Sequence, residues 1–343
     1  MDTKIITNPS EQDIDTLARA LRNGQLVSIP TETVYGLGAN GLDPEAMDKI
    51  YAAKGRPSDN PLILHVPNSE SIKPLVTKVS ATAQALMDAF WPGPLTITLP
   101  KSDLVPDRAT GGLPRVALRC PDHDLCRLLL ERAGVPVAAP SANISGRPSP
   151  TTAQDVYNDM NGRIAYILDA GPCTIGVEST VVEVHDDKVI ILRPGGITKA
   201  QLETVVSTVE YDTALVKAET KPKAPGMKYT HYAPDAPMTV VVGRPEAVAH
   251  TFKELSEGVT GLIGCLVSHE TYELIKEDGR FMCHCFGHHG DALALGHDFY
   301  KSLLHFNENH VTLILSEGVN DDGFGVAIMN RMEKASGHHI IYK

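Results

Sequence analysis

The sequence is short of the features that mark secreted and membrane-spanning proteins. No apolar run approaches the roughly 20 residues that a membrane-spanning helix needs. The N-terminal segment MDTKIITNPSEQD lacks the hydrophobic stretch of a signal peptide, and only six cysteines are scattered over 343 residues. These absences predict a globular protein with reduced thiols that stays in the cytosol.

Basic residues are also in the minority. Lys and Arg number 31 against 42 Asp and Glu, which gives a net charge of −11, and both the part before residue 206 and the part after it are acidic. Because affinity for RNA or DNA comes mostly from phosphate neutralisation, a stable polynucleotide complex is not expected. A few cations can still converge on a small anionic ligand in an acidic protein.

Common catalytic signatures are missing as well. The chain has no P-loop and no H-E-x-x-H, G-x-S-x-G or protein-kinase motif. Gly36, Gly38 and Gly41 suggest a dinucleotide-binding loop, but they do not open a helix, since a separate helix start follows at Asp43 and Pro44. The glycine pattern therefore disfavours a Rossmann cofactor at this point of the chain.

What is present predicts two domains of the α/β class. A chain of 343 residues exceeds the usual size of a single core. Residues 207–237 are rich in proline and have no apolar periodicity, which is typical of a linker, although the aromatic segment PGMKYTHYAP favours a lid. Strands and amphipathic helices alternate from residue 238 onward. The predicted boundaries are 1–206, 207–237 and 238–343, with a small, mostly parallel sheet in the last part.

Lys54 to His65, KGRPSDNPLILH, form a candidate anion-binding loop. A helix ending at Ala53 is predicted to turn at Gly55 and Pro57. Two cations and two uncharged donors then alternate before an apolar strand, an arrangement that suits a phosphate or carboxylate; they are Lys54, Arg56, Ser58 and Asn60. The alternative is a solvated surface turn, and matching groups elsewhere in the chain decide between the two.

The segment GGLPRVALRCP places two arginines on one face of a predicted strand. Arg115, Ala117 and Arg119 share that face because side chains alternate along a strand. Neither arginine has a carboxylate neighbour in sequence. They can flank an extended anionic ligand, or they can be surface arginines at a sheet edge.

Two further segments carry polar groups where strands end. The strand VPVAAP runs into Ser-Ala-Asn and then into a predicted capping box at Thr151 and Gln154. In GVEST, glycine lets the backbone approach a ligand, with Ser179 and Thr180 as donors. Ligand sites in α/β proteins gather at such carboxyl ends of strands.

The last domain contains a tract of cysteine and histidine. It comprises Cys283, His284, Cys285, His288 and His289. A C-x-C pair without a second cysteine pair is a poor match to structural zinc spacing, so the sequence disfavours zinc.

Five ordered motifs together resemble the threonylcarbamoyl-AMP synthase family in its long form. They are KGRPSDNPLILHV, SANISGRPSPT, GVESTVV, LRPGG and PGMKYTHYAP. The resemblance covers residues 1 to about 237, and the alternating pattern beyond agrees with the family's C-terminal domain. It implies a YrdC-like catalytic domain with a twisted mixed sheet and a positively charged cavity, then a linker and a small Rossmann-like α/β domain.

The resemblance also implies a reaction. ATP, L-threonine and bicarbonate or carbon dioxide give threonylcarbamoyl-adenylate and pyrophosphate, which makes the enzyme a nucleotidyltransferase. Mg²⁺ accompanies the ATP, without ligands from protein side chains. The product feeds the threonylcarbamoyl modification of the adenosine next to the anticodon of tRNA, and other proteins carry out that transfer.

Site residues are implied motif by motif. The threonine site falls on Thr33, His65, Arg119, Ala139 and Ser179. The ATP site falls on Arg56, Asn60, Arg115, Ser141, Ser149, Arg193 and, in the lid, Tyr232. Lys54 and Asn143 complete the K-x-R and S-x-N signatures, and the expected catalytic set is Lys54, Arg56, Ser141 and Asn143. Thr230 stands where the family's lid motif commonly has a basic residue.

Two other functions compete with this interpretation. An RNA-binding or ribosome-associated module is disfavoured by the acidic net charge. A carbamoyl transferase of the hydrogenase-maturation type is the second, but nothing here resembles the zinc-finger and acylphosphatase modules of those proteins.

Overall fold

The computed structural model describes residues 2–57, 59–216 and 232–343, which divide into two compact units. The first unit contains the described residues up to 216, except the short segments Gly146–Pro148 and Ile175–Val177. Those two segments group with the second unit, which otherwise begins at residue 232 among the described residues. Within the described ranges, no helix is both long and apolar enough to cross a membrane.

The first unit is built on a mixed sheet of eleven strands. In chain order the strands are β1 (Lys4–Thr7), β2 (Val27–Ile29), β3 (Gly36–Asn40), β4 (Ile63–His65), β5 (Leu95–Pro100), β6 (Arg115–Arg119), β7 (Val137–Ala138), β8 (Tyr166–Asp169), β9 (Thr180–Val184), β10 (Val189–Arg193) and β11 (Val209–Tyr211). Their order in the sheet is β1-β8-β2-β3-β7-β4-β6-β5-β9-β10-β11. Parallel and antiparallel pairs both occur, so the predicted mixed α/β architecture is confirmed.

Helices cover this sheet. They are α1 (Glu11–Arg22), α2 (Pro44–Lys54), α3 (Ala81–Phe90), α4 (Asp107–Thr110), α5 (Asp124–Ala133), α6 (Ala153–Met160), α7 (Lys199–Glu203) and α8 (Thr213–Val216), with a 3₁₀ helix at Glu70–Leu75. Apolar residues at helical spacing form the contacts: Leu17 and Leu21 of α1 join Leu129 of α5 in one buried cluster.

Two predicted helix ends are wrong by one residue. The α2 helix continues through Lys54 instead of stopping at Ala53, and Gly55 closes it in the left-handed conformation at φ 62°. The capping box of α6 uses Thr152 and Asp155, not Thr151 and Gln154. Asp155 is the second residue of the capping box because its carboxylate accepts the backbone N–H groups of Thr151 and Thr152 at 3.1 and 2.9 Å.

The predicted linker starts too early. Val209–Tyr211 form β11, which pairs in parallel with β10, and Thr213–Val216 form α8. A strand of three residues leaves no periodic signal in the sequence, so its partner strand determines it. Most of the predicted lid, including Tyr229, Thr230 and His231, lies outside the described residues, as does Ser58.

The second unit contains a parallel sheet with the order β14-β13-β15-β12-β16. Its elements are β12 (Met238–Val242), α9 (Pro245–Leu255), β13 (Ile263–Val267), α10 (His269–Ile275), β14 (Phe281–Cys285), α11 (Ala292–Glu308), β15 (Leu313–Glu317), α12 (Gly325–Ala335) and β16 (Ile340–Tyr342). The alternation predicted from residue 238 is confirmed. Only β16 was not anticipated, because its three residues close the chain without an alternating pattern.

The cysteine and histidine tract of the second unit is spread over several contacts. His284 lies 3.1 Å from Asp298, His288 lies 3.0 Å from Glu270, and His289 lies 2.7 Å from Glu317. Cys283 is partly buried, whereas Cys285 is exposed. Among the described residues, no group of three or more His, Cys, Asp or Glu side chains is placed to hold a metal ion.

Candidate functional site

The centre of the candidate site lies where β4 and β6 run side by side. These strands pair in parallel with His65 opposite Arg119, so the two side chains share one face of the sheet. Both side chains are buried. Ala139 joins them from the end of β7, because its N–H donates to the carbonyl of Ile63 at 3.0 Å. Three predicted threonine-site residues therefore come together here.

Burial keeps His65 neutral. It lowers the pKa of the imidazole to about 3, and the positive charge of Arg119 acts in the same direction. The Nδ1 atom lies 3.2 Å from the carbonyl oxygen of Ile63. At neutral pH this ring is an uncharged hydrogen-bonding group beside a fixed cation.

Glu32 is a member of this cluster that the sequence interpretation missed. One of its carboxylate oxygens lies 2.7 Å from Nη2 of Arg119, and the two side chains are only 6% and 5% exposed. The arginines of β6 have no acidic neighbour in sequence, but folding brings one from the turn after β2. One signal in the sequence could have indicated Glu32. It is a charged residue in the turn that follows the buried strand β2, and ligand sites commonly lie at such carboxyl ends of strands.

The segment around Thr31 and Thr33 forms a turn. The Thr31 hydroxyl oxygen accepts the N–H groups of Thr33 and Val34, both at 3.2 Å, and donates to the Val34 carbonyl at 2.6 Å. Threonine hydroxyls compete with regular structure in this way. The Thr33 hydroxyl lies 2.8 Å from that of Thr31 and is fully buried.

Ser179 and Arg193 form a second cluster at the β9–β10 hairpin. The guanidinium of Arg193 donates to the Ser179 carbonyl at 3.1 Å from Nε and 2.9 Å from Nη2, and to its hydroxyl at 3.2 Å. The same hydroxyl lies 2.8 Å from that of Thr96 on β5. Gly195 allows this arrangement, since a Cβ there would lie 2.3 Å from the backbone of Ser179 and Thr180.

Lys54 joins the K-x-R signature to the S-x-N signature. Its buried Nζ donates to the carbonyl of Ser141 and, at 2.6 Å, to the carbonyl of Asn143. Burial lowers the pKa of this ammonium well below its ordinary value, and Arg56 adds to the effect. The side chain of Lys54 therefore points into backbone carbonyls, and its predicted role in binding an anion stays a prediction.

Backbone hydrogen bonds hold the S-x-N loop against the turn after β2. Leu37 N–H donates to the Pro140 carbonyl at 2.7 Å, and Ala142 N–H donates to the Tyr35 carbonyl at 2.9 Å. Ser149, farther along the loop, donates its hydroxyl to Glu178 at 2.7 Å. The loop thus has a fixed path beside the β4–β6 cluster.

Arg115 lies at the other end of β6, beside a cavity of about 230 Å³. Its Nη2 donates to the carbonyls of Thr98 and Val184 at 2.7 and 2.6 Å, and burial lowers its pKa. Most of the cavity wall is apolar and includes Leu62, Ala117, Val181 and Leu192. Arg56 approaches through a bond to the carbonyl of Pro61, another lining residue, at 3.2 Å.

Asn60 and Tyr232 complete the predicted set. Asn60 is buried, and its carbonyl accepts the Tyr51 hydroxyl at 3.1 Å. Tyr232 belongs to the second unit, where its ring lies 5.3 Å from that of Tyr300. Its predicted contact with the nucleotide stays a prediction.

Comparisons with known proteins cover the whole chain. A family model described as telomere recombination (Sua5_yciO_yrdC) matches residues 19–195, and one described as the threonylcarbamoyl-AMP synthase C-terminal domain matches residues 197–337. The threonylcarbamoyl-AMP synthase of Bacillus subtilis is 45% identical over 97% of this chain and 95% of its own length.

Two further relatives differ in how much of this chain they cover. The crystal structure of P. abyssi Sua5 complexed with L-threonine has a TM-score of 0.90 and 40% sequence identity, with 100% of both chains covered. A shorter protein of Methanocaldococcus jannaschii is 35% identical over 54% of this chain and 86% of its own length.

Proposed function

The chain belongs to the threonylcarbamoyl-AMP synthase family, and on that premise we propose that it makes threonylcarbamoyl-adenylate and pyrophosphate from L-threonine, bicarbonate or carbon dioxide, and ATP. Both family models and relatives of nearly equal length support this activity. The observation that carries it is the buried pair of His65 and Arg119, which lie opposite each other on β4 and β6 with Ala139 beside them.

L-threonine is proposed to bind at the β4–β6 cluster. Arg119 would take the substrate carboxylate, since a guanidinium matches a carboxylate in charge and geometry. Neutral groups would take the amine and hydroxyl of threonine. His65 and the backbone at Ala139 come from this cluster, and Thr33 and Ser179 are the other predicted residues. The P. abyssi Sua5 of the comparison was crystallised as a complex with L-threonine, which supports a threonine site in this fold.

ATP is proposed to span the S-x-N loop and the apolar cavity. Adenine would occupy the cavity beside Arg115, where Ala117 and Leu192 offer apolar surface. The phosphates would meet a set of donors and cations that comprises Arg56, Asn60, Ser141, Asn143, Ser149 and Arg193. Lys54 would act by fixing the loop that carries Ser141 and Asn143. Tyr232 is proposed to reach over the nucleotide.

The chemistry needs charge stabilisation more than a nucleophilic side chain. The unprotonated amine of threonine attacks carbon dioxide and loses a proton to solvent as the carbamate forms. A carbamate oxygen then attacks the α-phosphate in line, and the bond to pyrophosphate breaks. Preorganised cations such as Arg56 and Arg193 stabilise the charge that develops on the phosphoryl oxygens. Mg²⁺ is proposed to arrive with ATP, held by phosphate oxygens, and it would neutralise the leaving pyrophosphate.

The cellular role follows from the product. We propose that threonylcarbamoyl-adenylate passes to a separate transferase that modifies the adenosine next to the anticodon of tRNA. A mixed anhydride of this kind is reactive toward amines, which suits direct transfer to an exocyclic amine. The cytosolic location remains a prediction.

A pyrophosphate-release assay tests the proposal. Release should require ATP, L-threonine and bicarbonate together, and Arg56→Ala should lower it by about 100-fold or more, because a phosphate-facing cation is lost. Arg22→Ala, on the exposed surface of α1, is the matched control and should retain wild-type release. Release without threonine, or a requirement for carbamoyl phosphate in place of bicarbonate, would contradict the proposal.

A further inference from the structure

The ion pair between Glu32 and Arg119 gives the β4–β6 cluster a particular charge. Arg119 supplies one positive charge and Glu32 one negative charge, with 2.7 Å between Nη2 and the carboxylate oxygen. His65 is neutral beside them, because burial lowers its pKa to about 3. The cluster is therefore dipolar, with a net charge near zero, instead of simply cationic.

A dipolar pair discriminates among small carboxylates. A free α-amino acid at neutral pH carries a carboxylate and an ammonium on the same carbon. It therefore presents two opposite charges a few ångströms apart when it binds, before the ammonium loses a proton to become the reacting amine. A ligand with a carboxylate alone can pair with Arg119, but it meets uncompensated repulsion from Glu32. In a buried site such repulsion is weakly screened, so it disfavours the wrong ligand strongly.

The position of Glu32 is fixed by the turn that carries it. Thr31 anchors the turn through three hydrogen bonds to backbone groups of Thr33 and Val34. Nε of Arg119 has only a long contact of 3.4 Å with the Gly93 carbonyl, so the ion pair is the closer restraint on the guanidinium. Glu32 thus holds a negative charge next to the guanidinium of Arg119.

We propose that Glu32, paired with Arg119, selects a zwitterionic amino acid over other carboxylates. The inference rests on the proposed function, since it takes Arg119 as the group that receives the substrate carboxylate. Glu32 is a specificity residue for that substrate, beyond the five residues assigned to threonine from the motifs.

Direct binding of two ligands tests this inference. Isothermal titration calorimetry would compare L-threonine with 2,3-dihydroxybutanoate, in which a hydroxyl replaces the amine. The wild-type chain should prefer threonine, and Glu32→Gln should lower the ratio of the two affinities by about tenfold or more, since the repulsion of the carboxylate-only ligand is removed. An unchanged ratio would overturn the proposal.

Controls separate selection from general damage. Glu131→Gln, on the exposed surface of α5, makes the same chemical change away from the cluster and should leave the ratio unchanged. Glu32→Asp keeps the charge and should retain most of the preference, and loss of the preference in this variant would contradict selection by charge. In steady-state assays Glu32→Gln should raise KM for threonine and leave KM for ATP within about twofold. Equal rises in both would indicate a structural role and overturn the proposal.

The two measurements also distinguish this inference from the proposed function. A wild-type chain that binds threonine selectively through Glu32, but releases no pyrophosphate with all three substrates, would refute the activity and leave the inference standing. If the wild-type chain releases pyrophosphate and Glu32→Gln keeps the full preference for threonine, the inference about Glu32 is refuted and the proposed activity stands.

Discussion

Burial of His65 makes the stability of the first unit depend on pH. The pKa of His65 is lowered from 6.5 to about 3 in the folded chain. Between these values the unfolded chain binds a proton that the folded chain does not. The contribution of His65 to the free energy of unfolding is therefore fully present above pH 6.5. It is lost as the pH falls toward 3, by up to about 1.4 kcal/mol per pH unit.

Urea unfolding at pH values from neutral to mildly acidic measures this contribution. The wild-type chain should lose more stability on acidification than His65→Gln, in which the titrating ring is replaced by a neutral amide. Other titrating groups are shared by both proteins and cancel in the comparison. Parallel stability curves would show that His65 titrates alike in the folded and unfolded chains.

Individual side chains were predictable to different degrees. The meeting of the K-x-R and S-x-N signatures followed from the resemblance, but the direction of Lys54 did not. A charged residue at the end of a helix can face solvent or the interior, and only the packing of Ser141 and Asn143 around Nζ decides. The sequence did not identify Glu32 as a site residue, because its partner Arg119 lies far away in sequence.

At the scale of elements, the start of α6 offers a sharp test. Asp155 accepts two backbone N–H groups, whereas the neighbouring Gln154 bonds only to Asn158 on the exposed surface. Asp155→Ala should lower the free energy of unfolding by about 1–2 kcal/mol, because the capping interactions are lost. Gln154→Ala is the control and should cost less than about 0.5 kcal/mol. Equal losses in chemical denaturation would argue against the Asp155 cap.

Long periodic elements were predicted well, and several short ones were not. The alternating strands and helices from residue 238 onward lie where the pattern predicted them, and even the two-residue strand β7 falls inside the predicted strand VPVAAP. Strands β11 and β16 were not predicted, because three residues are too few to display a period. Their positions depend on neighbouring strands, which sequence periodicity does not reveal.

At the scale of the molecule, two truncations test where the first unit ends. A chain that ends at residue 216 keeps β11, whose Val209 is buried, whereas one that ends at residue 206 loses it. The longer fragment should therefore be more stable by about 1–3 kcal/mol in urea unfolding.

The same fragments test the proposed lid. Both lack residues 217–343 and should release pyrophosphate far more slowly than the full chain, since Tyr232 is missing. Full turnover by the 216-residue fragment would show that the segment beyond it only connects the two units. In the unfolding measurement, equal free energies of unfolding for the two fragments would show that β11 contributes little to the sheet.

The pairing of β1 with β8 has a consequence for synthesis on the ribosome. Lys4 pairs with Tyr166, so about 160 further residues must be synthesised after the first strand before its partner strand is available. At about 5–20 residues per second, that interval is roughly 10–30 s. During this time β1 exposes unpaired backbone groups, which are a template for aggregation. Translation speed through the first half of the message is therefore expected to influence the yield of folded protein.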